Sequence, residues 1–173
     1  MQKNIEKYHV GGVILFSRNI ANRKQTLKMT EGFQNTGRIP LFICVDEEGG
    51  SVARIGSNAK METTSFPTAE EIGKTKDDTY TYQMGKTIGS EIKELGFNVD
   101  FAPVADVKTS DLNEEIGDRS FGDDPDKVAD YVSAFVQGLK KVNVASAVKH
   151  FPGQGSSSGD THKGSVNIDS SIS

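Results

Sequence analysis

The sequence predicts an α/β fold built on a parallel sheet, and three observations lead there. Four short apolar runs, Val13–Phe16, Leu41–Val45, Val99–Val104 and Val144–Val148, each end in a polar or Gly/Pro-rich stretch, as strands buried on both faces do. Between them lie stretches with apolar residues three and four positions apart, which is the helical spacing. The order is therefore strand, helix, strand, helix, strand, helix, strand, and that alternation implies parallel strands joined by right-handed crossovers.

Each element has its own local reason. After the first strand, a weak helical pattern lies around Lys24–Phe33. The second strand holds the single cysteine, Cys44. Alone it forms no internal disulfide, and inside Leu41–Val45 it reads as a small buried hydrophobe. The helix over about Asp78–Leu95 carries Met84, Ile88, Ile92 and Leu95 on one stripe, with Gly96 as its C-terminal stop. The clearest helix runs from about Asp124 to Lys141. Asp124 can cap it, Pro125 sits where a missing N–H costs nothing, and Val128, Tyr131, Val132, Phe135, Val136 and Leu139 form one apolar face.

Composition narrows the function. The 173 residues suit one domain, long enough to bury roughly 70% of the unfolded surface. Hydrophobic residues are 35% and charged residues 25%, so the chain is globular and on the polar side. A net charge of −4 argues against nucleic acid as a partner, since phosphate binding wants clustered Lys and Arg. No apolar run approaches about 18 residues, so no membrane span is predicted. The N-terminal MQKNIEKYHV has no signal-peptide core. By itself that points to the cytoplasm, but it has weight only if residue 1 is the natural start, and localisation is left unassigned.

The unusual polar residues follow the strands. Ser17-Arg18-Asn19 comes after the first, Asp46-Glu47-Glu48-Gly49-Gly50 after the second, Asp106 after the third and Lys149-His150-Phe151-Pro152-Gly153 after the fourth. Barrels and open α/β sheets both bind ligands at the carboxyl ends of their strands, so one polar site is expected there. Past Lys149-His150 the chain enters a Gly/Ser loop carrying Asp160 and His162. From Gly153 to Gly164 it has four Gly and three Ser, which predicts a mobile backbone. A nucleotide site is excluded on detail, because Ser158 stands where a third Gly of G-x-G-x-x-G belongs and no P-loop occurs. His150 and His162 match no standard zinc spacing, so no metal is expected. Taken alone, an Asp-x-His in such a loop is more often solvated than functional. Asp46 and Asp106 admit a helix-capping role, Asp118 with Arg119 a surface ion pair, and Glu47 and Glu48 a role in fixing the turn at Gly49-Gly50. Asp106 is given no catalytic role, and His9 is read as structurally unremarkable.

The ordered set of motifs says more than any one of them. VGGVILFSRNI at 10–20, VDEEGGSVARI at 45–55, FNVDFAPVADV at 97–107, GDRSFGDDP at 117–125 and KHFPGQG with GDTH at 149–162 together resemble glycoside hydrolase family 3, in its β-N-acetylglucosaminidase (β-N-acetylhexosaminidase) branch. The resemblance covers essentially the whole chain and implies a role for each matching residue. Asp46, Arg54, Arg119, Lys149 and His150 correspond to sugar-binding residues, and Asp160 with His162 to the general acid/base dyad. Chemistry fits those roles. A neutral sugar is held by carboxylate acceptors and charge-assisted donors. A His that titrates near neutrality can first protonate the leaving oxygen and then deprotonate water, as retention of configuration requires.

The resemblance further implies a (β/α)8 barrel, which needs about 250 residues. The four strands here correspond to its second to fifth, so residues 1–173 are expected to be a partial barrel, incomplete at the C-terminus and at the N-terminus as well. The implied nucleophile, an Asp after the seventh strand, has no counterpart here, and Asp169 lies too close to the dyad to serve. Two departures fall in the loop: Gln154 stands where the family more often has His, and Ser156 where many members have Asp. The implied partner is an N-acetylglucosamine-containing saccharide, for example a cell-wall muropeptide or a chitooligosaccharide, and no cofactor is implied. Phosphate as acceptor in place of water stays open. Two alternatives remain. A β-glucosidase-like member is disfavoured by the D-T-H pair, and an inactive sugar-binding or interaction fragment is suggested by the missing nucleophile. Half a barrel would leave two open sheet edges, to be covered by a second copy as a homodimer or by the rest of a longer enzyme.

Overall fold

A computed structural model describes residues 1–109, 113–157, 164 and 165. The chain runs through α1 (Gln2–Tyr8), β1 (Gly12–Ile14), α2 (Arg23–Gln34), β2 (Phe42–Val45), β3 (Glu47–Gly49), β4 (Val52–Ala53), α3 (Ala69–Thr75), α4 (Asp78–Glu94), β5 (Val99–Asp100), α5 (Pro125–Lys141) and β6 (Ala145–Ser146). The principal sheet has the order β1-β2-β5-β6, and every pair in it is parallel. Ile14 pairs with Cys44, Cys44 with Val99 and Val99 with Ala145, so one row of residues crosses all four strands in register. Strand order follows chain order, as expected of an arc of an α/β barrel.

The three expected helices are present and stop where the sequence says. Asp124 caps α5 by accepting from the backbone N–H groups of Asp126 and Lys127. The C-cap of α4 is Leu95, and Gly96 follows with φ at 85°. A side chain there would be strained in that conformation and would also strike Thr30 Oγ1 at 2.4 Å. Ile43 and Val45 of β2 share one core with Ile88, Ile92 and Leu95 and with Phe135 and Leu139 of α5. No described helix is long and apolar enough to cross a membrane.

Three differences from the sequence reading matter. The third and fourth strands are shorter than expected. Beyond Asp100 the ladder gives way to a single parallel bridge between Val104 and Lys149, because Pro103 offers no N–H. A small antiparallel hairpin, β3–β4, forms from the D-E-E-G-G segment and the Val52-Ala53 pair that follows it. The start of the Gly/Ser loop is packed, with Ser157 buried and Gly155 against the Val107 carbonyl, while residues 158–163, over most of which mobility was expected, lie outside the described residues. Thr109 N–H also donates to Gly155 O at 3.4 Å.

Helices α4 and α5 touch through glycine. A Cβ on Gly138 would lie 2.3 Å from Tyr82 O, and one on Gly85 2.4 Å from Phe135 O. These backbone atoms cannot swing aside. Gly138→Ala is therefore expected to destabilise the fold by about 1–3 kcal/mol through overpacking, even though Ala gains about 1 kcal/mol in helix propensity. Thermal unfolding of the two chains measures the difference, and a raised melting point for the variant would show that the helices separate freely.

Candidate functional site

The polar residues at the strand carboxyl ends meet in one network. Asp46 follows β2 directly, Glu48 is carried by β3, and Lys149 follows β6 at its bridge to Val104. Lys149 Nζ lies 2.7 Å from Asp46 Oδ1 and 2.5 Å from Glu48 Oε1. Arg119 holds Glu48 with a two-pronged grip: Nε donates to Oε2 at 2.9 Å and Nη2 to Oε1 at 2.8 Å. All four side chains are largely buried, between 7% and 17% exposed, so their charges depend on one another more than on water.

Local packing aims Arg119. The R-S-F-G segment leaves a single 3-10 turn at Gly117–Arg119. Phe121 stacks on Tyr131 of α5 at 5.2 Å between ring centroids, and Ser120 Oγ donates to Asp106 O at 2.6 Å. Asp118 does not pair with Arg119 and instead accepts from Ser51 Oγ at 2.8 Å. The surface ion pair considered from sequence is thus replaced by the Arg119–Glu48 bond.

His150 lies between Arg119 and Asp106. Its Nε2 is 3.2 Å from Arg119 Nη2 and its Nδ1 is 2.5 Å from Asp106 Oδ2. Burial works against ionisation of Asp106, but hydrogen bonds from the His150 ring and from the Gln154 and His150 backbone outweigh it. The carboxyl sits below its ordinary value. Asp106 and Glu48 are therefore the site residues that sequence reasoning passed over. Their position shortly past the second and third apolar runs was the available signal.

Glu47 holds the chain just past β4 rather than the Gly49-Gly50 turn, where Gly50 N–H donates to Phe66 O. Its two oxygens accept from Ile55 N–H at 2.7 Å and Gly56 N–H at 2.9 Å. Burial raises its pKa to about 7. Asp100 lies fully buried beneath, with Oδ1 accepting from Glu47 N–H at 3.0 Å. Burial pushes its carboxyl well above the ordinary value too. Arg54 is partly buried beside this pair. Its backbone N–H donates to Asp46 O, while its Nε is buried with no partner among the described residues.

The structure thus brings Asp46, Arg119, Lys149 and His150 into one cluster, with Arg54 joined to Asp46 through the backbone. Asp160 and His162 lie outside the described residues. A cleft lined by Glu48, Ser51, Pro103, Val104, Asp118 and Arg119 opens beside the cluster. Its free volume of about 10 Å³ scarcely holds one water.

Comparison with known proteins gives a consistent family. Residues 1–173 match the family model described as "Glycosyl hydrolase family 3 N terminal domain". Beta-hexosaminidase A of Pseudoalteromonas piscicida is 38% identical over 173 aligned positions, covering 95% of this chain and 28% of that protein. Among solved structures, a glycoside hydrolase family 3 beta-N-acetylglucosaminidase from Paenibacillus sp. str. FPU-7 superposes with a TM-score of 0.88 at 37% identity, covering 93% of this chain and 31% of that one. NagZ from Neisseria gonorrhoeae, in complex with N-trifluoroacetyl-D-glucosamine, gives 0.90 at 31% identity, covering 99% and 51%. The chain therefore spans about half or less of the length of these proteins.

Proposed function

The chain belongs to glycoside hydrolase family 3, and from that premise we propose that residues 1–173 are part of the catalytic barrel of a retaining hydrolase. Its substrate is terminal β-linked N-acetylglucosamine, in cell-wall muropeptides or chitooligosaccharides. The observation that carries the reading is Lys149 set between Asp46 and Glu48, with Arg119 gripping both Glu48 oxygens. Two cations and two carboxylates at the strand ends can trade their mutual bonds for the hydroxyls of a neutral sugar. Asp46, Arg54, Arg119, Lys149 and His150 bind that sugar in this reading. His162 is the acid/base and Asp160 orients it, by their match to the family motif. The kinship with beta-hexosaminidases at 38% identity supports N-acetylglucosamine over glucose.

No nucleophile is assigned within residues 1–173, and a retaining mechanism cannot proceed without one. Turnover of an aryl N-acetylglucosaminide is expected from a longer chain that continues past Ser173, and to be absent or very weak for residues 1–173 alone. An aryl glucoside should be a poor substrate for both. Robust turnover by the short chain, abolished by His162→Ala, would sink the placement of the nucleophile. Preference for the glucoside would sink the substrate. Absence of turnover from both chains, with N-acetylglucosamine still bound, would favour a sugar-binding module. The principal sheet as described ends at β1 and β6, and the edges there are proposed to be covered by the rest of a longer protein or by a second copy.

A further inference from the structure

We propose that Asp106 is a positioning residue that fixes the tautomer of His150 and ties the pocket to the root of the Gly/Ser loop. The inference rests on the reading of His150 as a sugar-binding residue for its significance, though not for its geometry. The Asp106 side chain is fully buried, and both its oxygens are used. Oδ2 accepts from the His150 ring at 2.5 Å and from His150 N–H at 3.1 Å, and Oδ1 accepts from Gln154 N–H. Its backbone carbonyl takes the Ser120 hydroxyl, one residue beyond Arg119. One residue therefore joins three segments: its own after β5, the Arg119 turn through its backbone carbonyl, and the chain after β6 through its carboxylate.

The ring nitrogens are assigned by their neighbours. An arginine side chain offers only donors, so the His150 nitrogen facing Arg119, Nε2, must accept. The proton of the neutral ring then sits on Nδ1 and is donated to Asp106. With the opposite tautomer, an N–H would face the guanidinium and a lone pair would face the carboxylate, two repulsive contacts at once. Asp106 thus turns a basic nitrogen toward the Arg119–Glu48–Lys149 cluster, which prepares His150 to accept a hydrogen bond from a sugar hydroxyl once Arg119 moves. The same carboxylate pins Gln154, and Asn113 Nδ2 supports that turn by donating to Gln154 O at 2.6 Å and to Ser157 Oγ at 3.3 Å.

Nitrogen NMR of the labelled 173-residue chain tests this without any turnover. At neutral pH the wild-type His150 ring should show a protonated Nδ1 and an unprotonated Nε2. Asp106→Asn should invert or average that pattern and reduce hydrogen-exchange protection of the Gln154 amide by roughly tenfold to a hundredfold, the effect of losing a bond to a charged acceptor. Arg119→Met should leave both readouts in place, because Asp106 still accepts. A wild-type ring protonated on Nε2 overturns the proposal even if Asp106→Asn does not fold. So does an Asp106→Asn chain that keeps the wild-type ring pattern and Gln154 protection. If N-acetylglucosamine fails to bind a chain whose ring behaves as expected, the saccharide reading falls and the positioning role of Asp106 stands.

Discussion

Glu48→Ala is expected to destabilise the folded chain by about 3–5 kcal/mol, the range for removing one partner of a buried ion pair. Glu48 is 7% exposed and is shared by two cations, Arg119 and Lys149, themselves 15% and 17% exposed. Without it Lys149 keeps Asp46, and among the described residues Arg119 keeps hydrogen bonds to Glu115 O at 3.2 Å and to the His150 ring. The guanidinium would then be largely desolvated with no carboxylate bonded to it among the described residues, leaving only the more distant charges of Glu115 and Asp106. The pair formed by Arg23 and Glu94 serves as an internal contrast, because its side chains are 41% and 64% exposed. Arg23→Met should change stability by no more than about 1 kcal/mol. Urea unfolding with an unchanged slope gives both values. A loss for Glu48→Ala no larger than that for Arg23→Met would show that the cluster is solvated in solution and anchors nothing.

The contrast between Glu48 and Asp46 also shows what a sequence can reveal. Asp46 and Lys149 were legible because each directly follows an apolar run, and a strand end is where a barrel binds its ligand. Glu48 and Asp106 sit at equally suggestive places, yet their roles are set by partners 71 and 44 positions away. No local pattern encodes such pairing. Helices α4 and α5 were legible to within a residue because a long apolar stripe, a cap and a stop all agree. Helix α3 was missed for its shortness, although Thr68 and Glu71 form a capping box that announces it. The β3–β4 hairpin, with strands of three and two residues, has no period to detect. At the start of the Gly/Ser loop, the glycine at 155 permits close packing against Val107, which composition alone does not announce.

Stability should fall as pH rises toward neutrality, and Glu47 should account for much of the fall. Its pKa is raised from the ordinary 4.5 to about 7. Burial is the main cause; bonds from Ile55 and Gly56 N–H and the charge of Arg54 pull it down, and the charge of Glu91 adds to the rise. Between those two values the folded state holds a proton that the unfolded state has released. The stabilisation is therefore complete below about pH 4.5 and is lost as pH rises through about 7. At 1.36 kcal/mol for each pKa unit, the full loss is about 3 kcal/mol. Asp100, also raised, contributes in the same direction and persists in a Glu47 variant. Asp106 is lowered, so its contribution is lost only as pH falls below the ordinary carboxyl range, outside this window. Glu47→Gln carries no titrating group, and one of its amide hydrogens must face a backbone N–H, so its absolute stability will drop at every pH. Its slope is the diagnostic. Urea midpoints measured from pH 5 to pH 8 should decline for the wild-type chain and decline much less for Glu47→Gln. Parallel profiles would mean that Glu47 is ionised across the whole range and that its two backbone bonds outweigh its burial.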